Sequence, residues 1–120
     1  MSCLFVALAR QLGMDPRLVR KDICAYLEAG GTVIDGMQTK ELVNSQYVRE
    51  MSRPSTWGSA IEIQAACNLY RIRVAVTSLR PKDSRKPIVF TPVAHRLWQR
   101  TLFMTWTGSH YEASPPRLLT

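Results

Sequence analysis

Residues 59–76, SAIEIQAACNLYRIRVAV, change hydrophobic period partway along, and that change decides the fold. Ser59 and Glu62 have the spacing of a capping box, in which each side chain caps a backbone N–H of the other residue. Ile61, Ile63, Ala65, Ala66, Leu69 and Tyr70 follow, apolar over much of a helix surface, which predicts a buried helix. From Arg71 the period falls to two. Ile72, Val74 and Val76 alternate with Arg71, Arg73 and Ala75, the pattern of a half-buried strand.

Upstream of this switch the signals are helical. Cys3 to Leu12 reads as a helix ending at Gly13. Asp15-Pro16 reads as an N-cap followed by proline at the first helical position. The helix it opens carries Leu18, Val19, Ile23, Cys24, Tyr26 and Leu27, and Gly30-Gly31 stops it. Short helices are expected at 39–44 and 46–51, before Pro54 and a turn at Ser55-Thr56-Trp57-Gly58. Downstream the signals are strands: Ile88-Val89-Phe90, Leu102 to Trp106, and a last strand at His110 to Ala113, ended by Ser114-Pro115-Pro116. Helices up to Tyr70 and strands beyond it make an α+β domain, with a helical layer on a small sheet. That layering would set the start of the Cys3 helix against the sheet edge carrying His110.

Composition narrows the function. A chain of 120 residues with 46% apolar content suits one globular domain with a modest core. No apolar run reaches the roughly 18–20 residues of a membrane helix. Arg10 and Gln11 interrupt the first apolar stretch and no basic segment precedes it, so a signal peptide is not expected. Three widely spaced cysteines, with no CxxC and no His/Cys cluster, predict neither zinc site nor disulfide framework, and point to a reducing cytosol. No cofactor is implied, and a monomer in the cytoplasm, with the nucleus as a further location, is expected. The net charge is +7, but only Arg80-Pro81-Lys82-Asp83-Ser84-Arg85-Lys86-Pro87 is a basic cluster. Its proline and serine read as a solvated loop; nucleic-acid contact is the alternative. Trp98 lies between Arg96 and Arg100, whereas core packing is expected for Trp57 and Trp106.

Chemistry concentrates at the two ends. A thiol at a helix N-terminus sits in the positive end of the backbone dipole, which favours the nucleophilic thiolate. Cys3 holds that position. Near the other end, His110 is followed two residues later by Glu112. A Cys, a His and an acid able to orient the His are the parts of a cysteine hydrolase. Cys24 and Cys67 lie in apolar helical stretches, where burial raises a thiol's pKa, and are read as structural. His95, beside Arg96, is read as a surface residue, and Glu62 as a helix cap.

These residues resemble the ovarian-tumour (OTU) family of cysteine proteases, most of which are deubiquitinases. The resemblance spans nearly the whole chain through four blocks in the family's order: Ser2-Cys3-Leu4-Phe5-Val6-Ala7-Leu8-Ala9; Tyr47-Val48-Arg49-Glu50-Met51 followed by Trp57-Gly58; Glu62-Ile63-Gln64-Ala65-Ala66 leading into Ile72-Arg73-Val74; and His110-Tyr111-Glu112. It implies a papain-like architecture, with helices on a small, mostly antiparallel sheet. It implies Cys3 as nucleophile, His110 as general base and Glu112 as the acid that orients it. Backbone N–H groups of Ser2 and Cys3 would stabilise the oxyanion, Trp57-Gly58 would be structural, and Tyr111 would pack beside the histidine. Family members carry Asp-Gly and one more residue before the cysteine; only Met1-Ser2 precede it here, so a single domain clipped at that edge is expected. The implied activity is thiol-dependent hydrolysis of isopeptide bonds at the C-terminus of ubiquitin or a ubiquitin-like protein. An OTU-like ubiquitin-binding module without turnover and a viral polyprotein-processing protease are the alternatives.

Overall fold

The helix-to-strand switch forms where the residue pattern changes. Helix α5 (Ala60–Tyr70) starts from a capping box in which Glu62 Oε1 accepts from the Ser59 N–H at 2.7 Å and the Ser59 hydroxyl at 2.8 Å. It ends on Arg71, which adopts the left-handed conformation (φ 54°) and donates its N–H to Cys67. That reversal feeds the chain straight into strand β1 (Ile72–Ser78). The computed structural model describes residues 3–93 and 97–119, Cys3 through its backbone alone. Ser2 and His95 lie outside the described residues.

The other elements follow the sequence pattern closely. They are α1 (Cys3–Leu12), α2 (Pro16–Glu28), α3 (Thr39–Leu42), α4 (Ser45–Met51), β2 (Ile88–Phe90), β3 (Arg100–Trp106) and β4 (Tyr111–Ala113). Asp15 caps α2 by accepting from the Arg17 N–H at 2.8 Å, and Asn44 caps α4 through the Tyr47 N–H at 2.8 Å. The strands order as β2-β1-β3-β4. β1 pairs antiparallel with β2 and β3 pairs antiparallel with β4, while β1 and β3 run parallel, with Ile72 opposite Arg100 and Ser78 opposite Trp106. Two of the three pairings are therefore antiparallel, as the mostly antiparallel expectation requires.

One face of this sheet carries the core. Ile72, Val74 and Val76 of β1 line up with Leu102 and Met104 of β3 and join Leu4, Phe5 and Leu8 of α1, Val19, Ile23 and Leu27 of α2, and Ile63 of α5. Helix α1 packs on β3 and β4, α5 on β1 and β2, and α2 against α1, α4 and α5. The buried guanidinium of Arg20 crosses this helical layer. It stacks 4.1 Å over Phe5 and donates to the carbonyls of Met51 (2.7 Å) and Pro54 (3.2 Å). Those bonds satisfy a charge that burial would otherwise penalise, and tie α1 and α2 to the segment leading to Trp57.

Candidate active site

Helix α1 sits beside β4 because it is held at both ends. At its far end the Gln11 carboxamide pairs with the backbone of Phe103, Nε2 donating to the carbonyl at 2.9 Å and Oε1 accepting from the N–H at 3.0 Å. Ser114, just past β4, also donates its N–H to the Phe103 carbonyl at 2.9 Å, so Gln11 shares that carbonyl and supplies the acceptor for the Phe103 N–H. At its near end Leu4 is buried against Gly58. A Cβ on Gly58 would stand 2.5 Å from Leu4 Cδ2 and 3.3 Å from its Cβ and Cγ, so a larger residue would push the buried Leu4 side chain aside. Cys3 is the first residue of the helix. Its neighbour Leu4 thereby packs against Gly58, in the irregular segment that leads into α5.

His110 comes to the same place from the other side. β3 ends at Trp106, and a tight turn leads into β4. Thr107 organises that turn: its N–H donates to the His110 carbonyl at 3.0 Å, and its Oγ1 accepts from the His110 N–H at 3.1 Å. Gly108 sits at φ 105°, a conformation that residues with a Cβ rarely adopt. The His110 ring is exposed and lies against the Trp57 indole, with centroids 5.8 Å apart and planes tilted by 43°. One dipeptide, Trp57-Gly58, thus touches both the start of α1 and the histidine. Beside it is a cleft of about 250 Å3, walled by Trp57, Gly58 and Ser59 on one side and by Trp106, Gly108 and Tyr111 on the other.

The two acids near these elements differ sharply. Glu112 is exposed on the edge strand, two residues beyond His110 and opposite Thr105 in the β3–β4 ladder. Glu62 is wholly buried. Besides its bonds to Ser59, it accepts from the Tyr47 hydroxyl at 2.7 Å. Burial, and then the bond to Glu62, push the Tyr47 phenol well above its ordinary value. Burial also raises Tyr111, which packs against Trp106 at 6.3 Å between ring centroids. Glu62 is the helix cap the sequence indicates, and also a buried tie between α4 and α5.

Cys24 and Cys67 are both buried and free. Burial raises both thiols, Cys67 to about 12, so neither holds appreciable thiolate at neutral pH. Among the described residues no group of three His, Cys, Asp or Glu could hold a metal ion, and no helix is long and apolar enough to cross a membrane.

Two expectations need correction. Trp57 is not a core residue: it is 59% exposed and spends one face on His110. Helical and strand periodicity carry no information about such a residue, because it lies in the irregular segment between α4 and α5. The basic loop is largely exposed, as expected, but Arg80 is not simply solvated. Its guanidinium lies 4.6 Å over the Trp106 ring, and its Nε donates to Asp83 at 2.7 Å. No local pattern marks the contacts of Gln11, Thr107 and Arg80, since each is made with a partner far away in the chain or within a turn.

The chain matches the family of OTU-like cysteine proteases over residues 2–114. It is 33% identical over 116 residues to an ovarian tumor domain-containing deubiquitinating enzyme 10 of Arabidopsis thaliana, covering 93% of this chain and 31% of that protein. It is 27% identical over 116 residues to ubiquitin thioesterase OTU1 of Dictyostelium discoideum, covering 93% of this chain and 34% of that protein. The chain spans about a third of the length of these curated relatives. Among solved structures, the fold is similar to the OTU domain of OTUD1, with a TM-score of 0.71 and 16% identity over 92% of this chain and 77% of that one. It is similar also to an ovarian tumor domain solved in complex with ubiquitin, with a TM-score of 0.73 and 19% identity over 92% of this chain and 62% of that one.

Proposed function

This chain belongs to the family of OTU-like cysteine proteases, and on that premise we propose that it is a thiol-dependent deubiquitinase acting in the reducing cytosol. His110 takes the proton of the Cys3 thiol. The thiolate attacks the carbonyl carbon of the C-terminal glycine of ubiquitin, or of a ubiquitin-like protein, at an isopeptide bond. The tetrahedral oxyanion is held by the backbone N–H groups of Ser2 and Cys3, and Glu112 orients the imidazole. His110 then returns the proton to the lysine amine, which leaves. Water activated by the same histidine releases the acyl group and restores the thiol.

The observation that carries this reading is the Trp57-Gly58 dipeptide. Gly58 packs on Leu4, the residue after Cys3, while the Trp57 ring lies on His110. A thiol and an imidazole from residues more than a hundred positions apart need such a common support to react together. Two further observations agree with it. Cys3 opens a helix, where the dipole favours thiolate, and the other two thiols are buried with raised pKa values. The relatives named as a deubiquitinating enzyme and a ubiquitin thioesterase support ubiquitin as the modifier recognised.

The test is the reaction of the chain with a ubiquitin probe bearing a C-terminal electrophile. The wild-type chain and its Cys24→Ala and Cys67→Ala variants should be labelled, and Cys3→Ala should not. Labelling that survives Cys3→Ala but disappears in a Cys24 or Cys67 variant would refute the assignment. Binding of unmodified ubiquitin without hydrolysis of fluorogenic ubiquitin would replace it with a binding module.

A further inference from the structure

The turn that carries His110 is braced from outside the site. Trp106, Gly108 and His110 lie within five residues of one another, and the side chain of Arg80 covers the first two. Its guanidinium stacks 4.6 Å over the Trp106 ring. Its Cδ and Cγ lie 3.2 and 3.4 Å from the point where a Cβ of Gly108 would stand. The backbone delivers Arg80 to this spot. The parallel β1–β3 register sets Ser78 opposite Trp106, and the next N–H, of Leu79, donates to the Trp106 carbonyl at 2.8 Å. Arg80 therefore leaves β1 directly beside the end of β3.

The guanidinium is held in place by its own loop. Arg80 Nε donates to Asp83 Oδ2 at 2.7 Å, and the Ser78 hydroxyl donates to the same oxygen at 2.7 Å. The Arg80 N–H in turn donates to Ser78 Oγ at 3.2 Å. A planar cation fixed by a carboxylate and stacked on an indole is a rigid contact, unlike a free lysine or arginine on a loop. Opposite it, the Trp57 ring lies on His110. The histidine turn is thus gripped from two sides: by Trp57 at the imidazole, and by Arg80 at Trp106 and Gly108.

We propose that Arg80 is a positioning residue for the reaction: by clamping the Trp106–Gly108 turn it holds the His110 imidazole at the height from which it serves the Cys3 thiol. This proposal rests on the assignment of His110 as the general base. Arg80 touches neither substrate nor reacting atoms in this account. Its removal loosens the aim of the base and leaves substrate affinity alone. A displacement of about 1 Å at a catalytic group can lower a rate by up to a hundred-fold.

The experiment is steady-state hydrolysis of fluorogenic ubiquitin by Arg80→Ala, Arg80→Lys and Asp83→Asn, with Lys82→Ala, an exposed cation of the same loop, as control. Arg80→Ala should lower kcat by about ten-fold with KM within two-fold. Arg80→Lys keeps the alkyl chain over Gly108 but loses the planar stack, and should recover part of the loss. Asp83→Asn should show a smaller fall in kcat, and Lys82→Ala none. If Arg80→Ala does not fold, the Arg80→Lys and Asp83→Asn values carry the same decision. Unchanged kcat in the Arg80 variants, a loss confined to KM, or an equal loss in Lys82→Ala would overturn the proposal. His110→Ala in the same assay separates the two readings. If it retains activity, the base assignment fails; if it is inactive while Arg80→Ala matches wild type, only the role of Arg80 fails.

Discussion

Glu62 and Glu112 stand at opposite extremes of the same small protein. Glu62 has no exposed surface, and both of its oxygens are engaged, by Ser59 and by Tyr47. Glu112 lies exposed on the edge strand, in the segment that carries His110. The difference separates a locked internal tie from an acid open to solvent. A buried carboxylate persists only when donors surround it, and those donors then lock it in place. Such a group can hold α5 to α4 but cannot be approached by a substrate. An exposed acid contributes little to folding and remains open to solvent.

The contrast can be broken in several ways, the largest expected effect first. Glu62→Ala leaves the Tyr47 hydroxyl and the Ser59 N–H without their acceptor and should lower the unfolding free energy by about 3 kcal/mol, measured by urea unfolding. Glu112→Ala should leave that free energy within about 0.5 kcal/mol while lowering kcat about a hundred-fold. The distinction collapses if Glu112→Ala unfolds as readily as Glu62→Ala, or if it turns over substrate at the wild-type rate. Gly58→Ala sits between the two classes, since it strains the packing on Leu4 that also serves the site. A cost of about 2 kcal/mol is expected, with slower reaction toward the ubiquitin probe; full activity at lowered stability would show that the approach matters only to folding.

The smallest effect concerns pH. Burial raises the Cys67 thiol to about 12. The native state therefore favours the protonated form more than the unfolded chain does. The associated stability is complete below the ordinary thiol range and is lost as pH rises from about 9 toward 12. Cys24 and Tyr47, also raised by burial, act in the same direction. The urea midpoint of the wild-type chain should thus fall across that window, and Cys67→Ala should flatten part of the decline. A midpoint independent of pH up to 11 would contradict the buried assignment.

Much of the fold was legible in the residues. Asp15-Pro16, Ser59 with Glu62, and the glycines after Leu12 and Glu28 mark helix ends by local hydrogen bonding and backbone conformation, which need no distant partner. The alternation of Ile72, Val74 and Val76 marks β1 because one face of a strand is buried. The site was legible only as a set of parts: a helix-initial thiol, a histidine, an acid two residues on. Trp57 escapes such patterns because an indole in an irregular segment has no periodicity, and a large apolar ring is more often buried than laid against an exposed histidine. Gln11 resembles an interruption of an apolar helix, yet its carboxamide bonds both backbone groups of Phe103 and supplies the acceptor for its N–H.

By itself the sequence determined the elements, their order and their buried faces, because these follow from interactions among residues close in the chain. Tertiary structure alone decided that β1 and β3 lie side by side and parallel, since pairing between strands more than twenty residues apart depends on competing loop paths and a shared core. It alone brought Trp57 and Gly58 between the start of α1 and His110, and Arg80 over Trp106. Each of those contacts is set by the register of the sheet and by packing against it, quantities that no local pattern encodes.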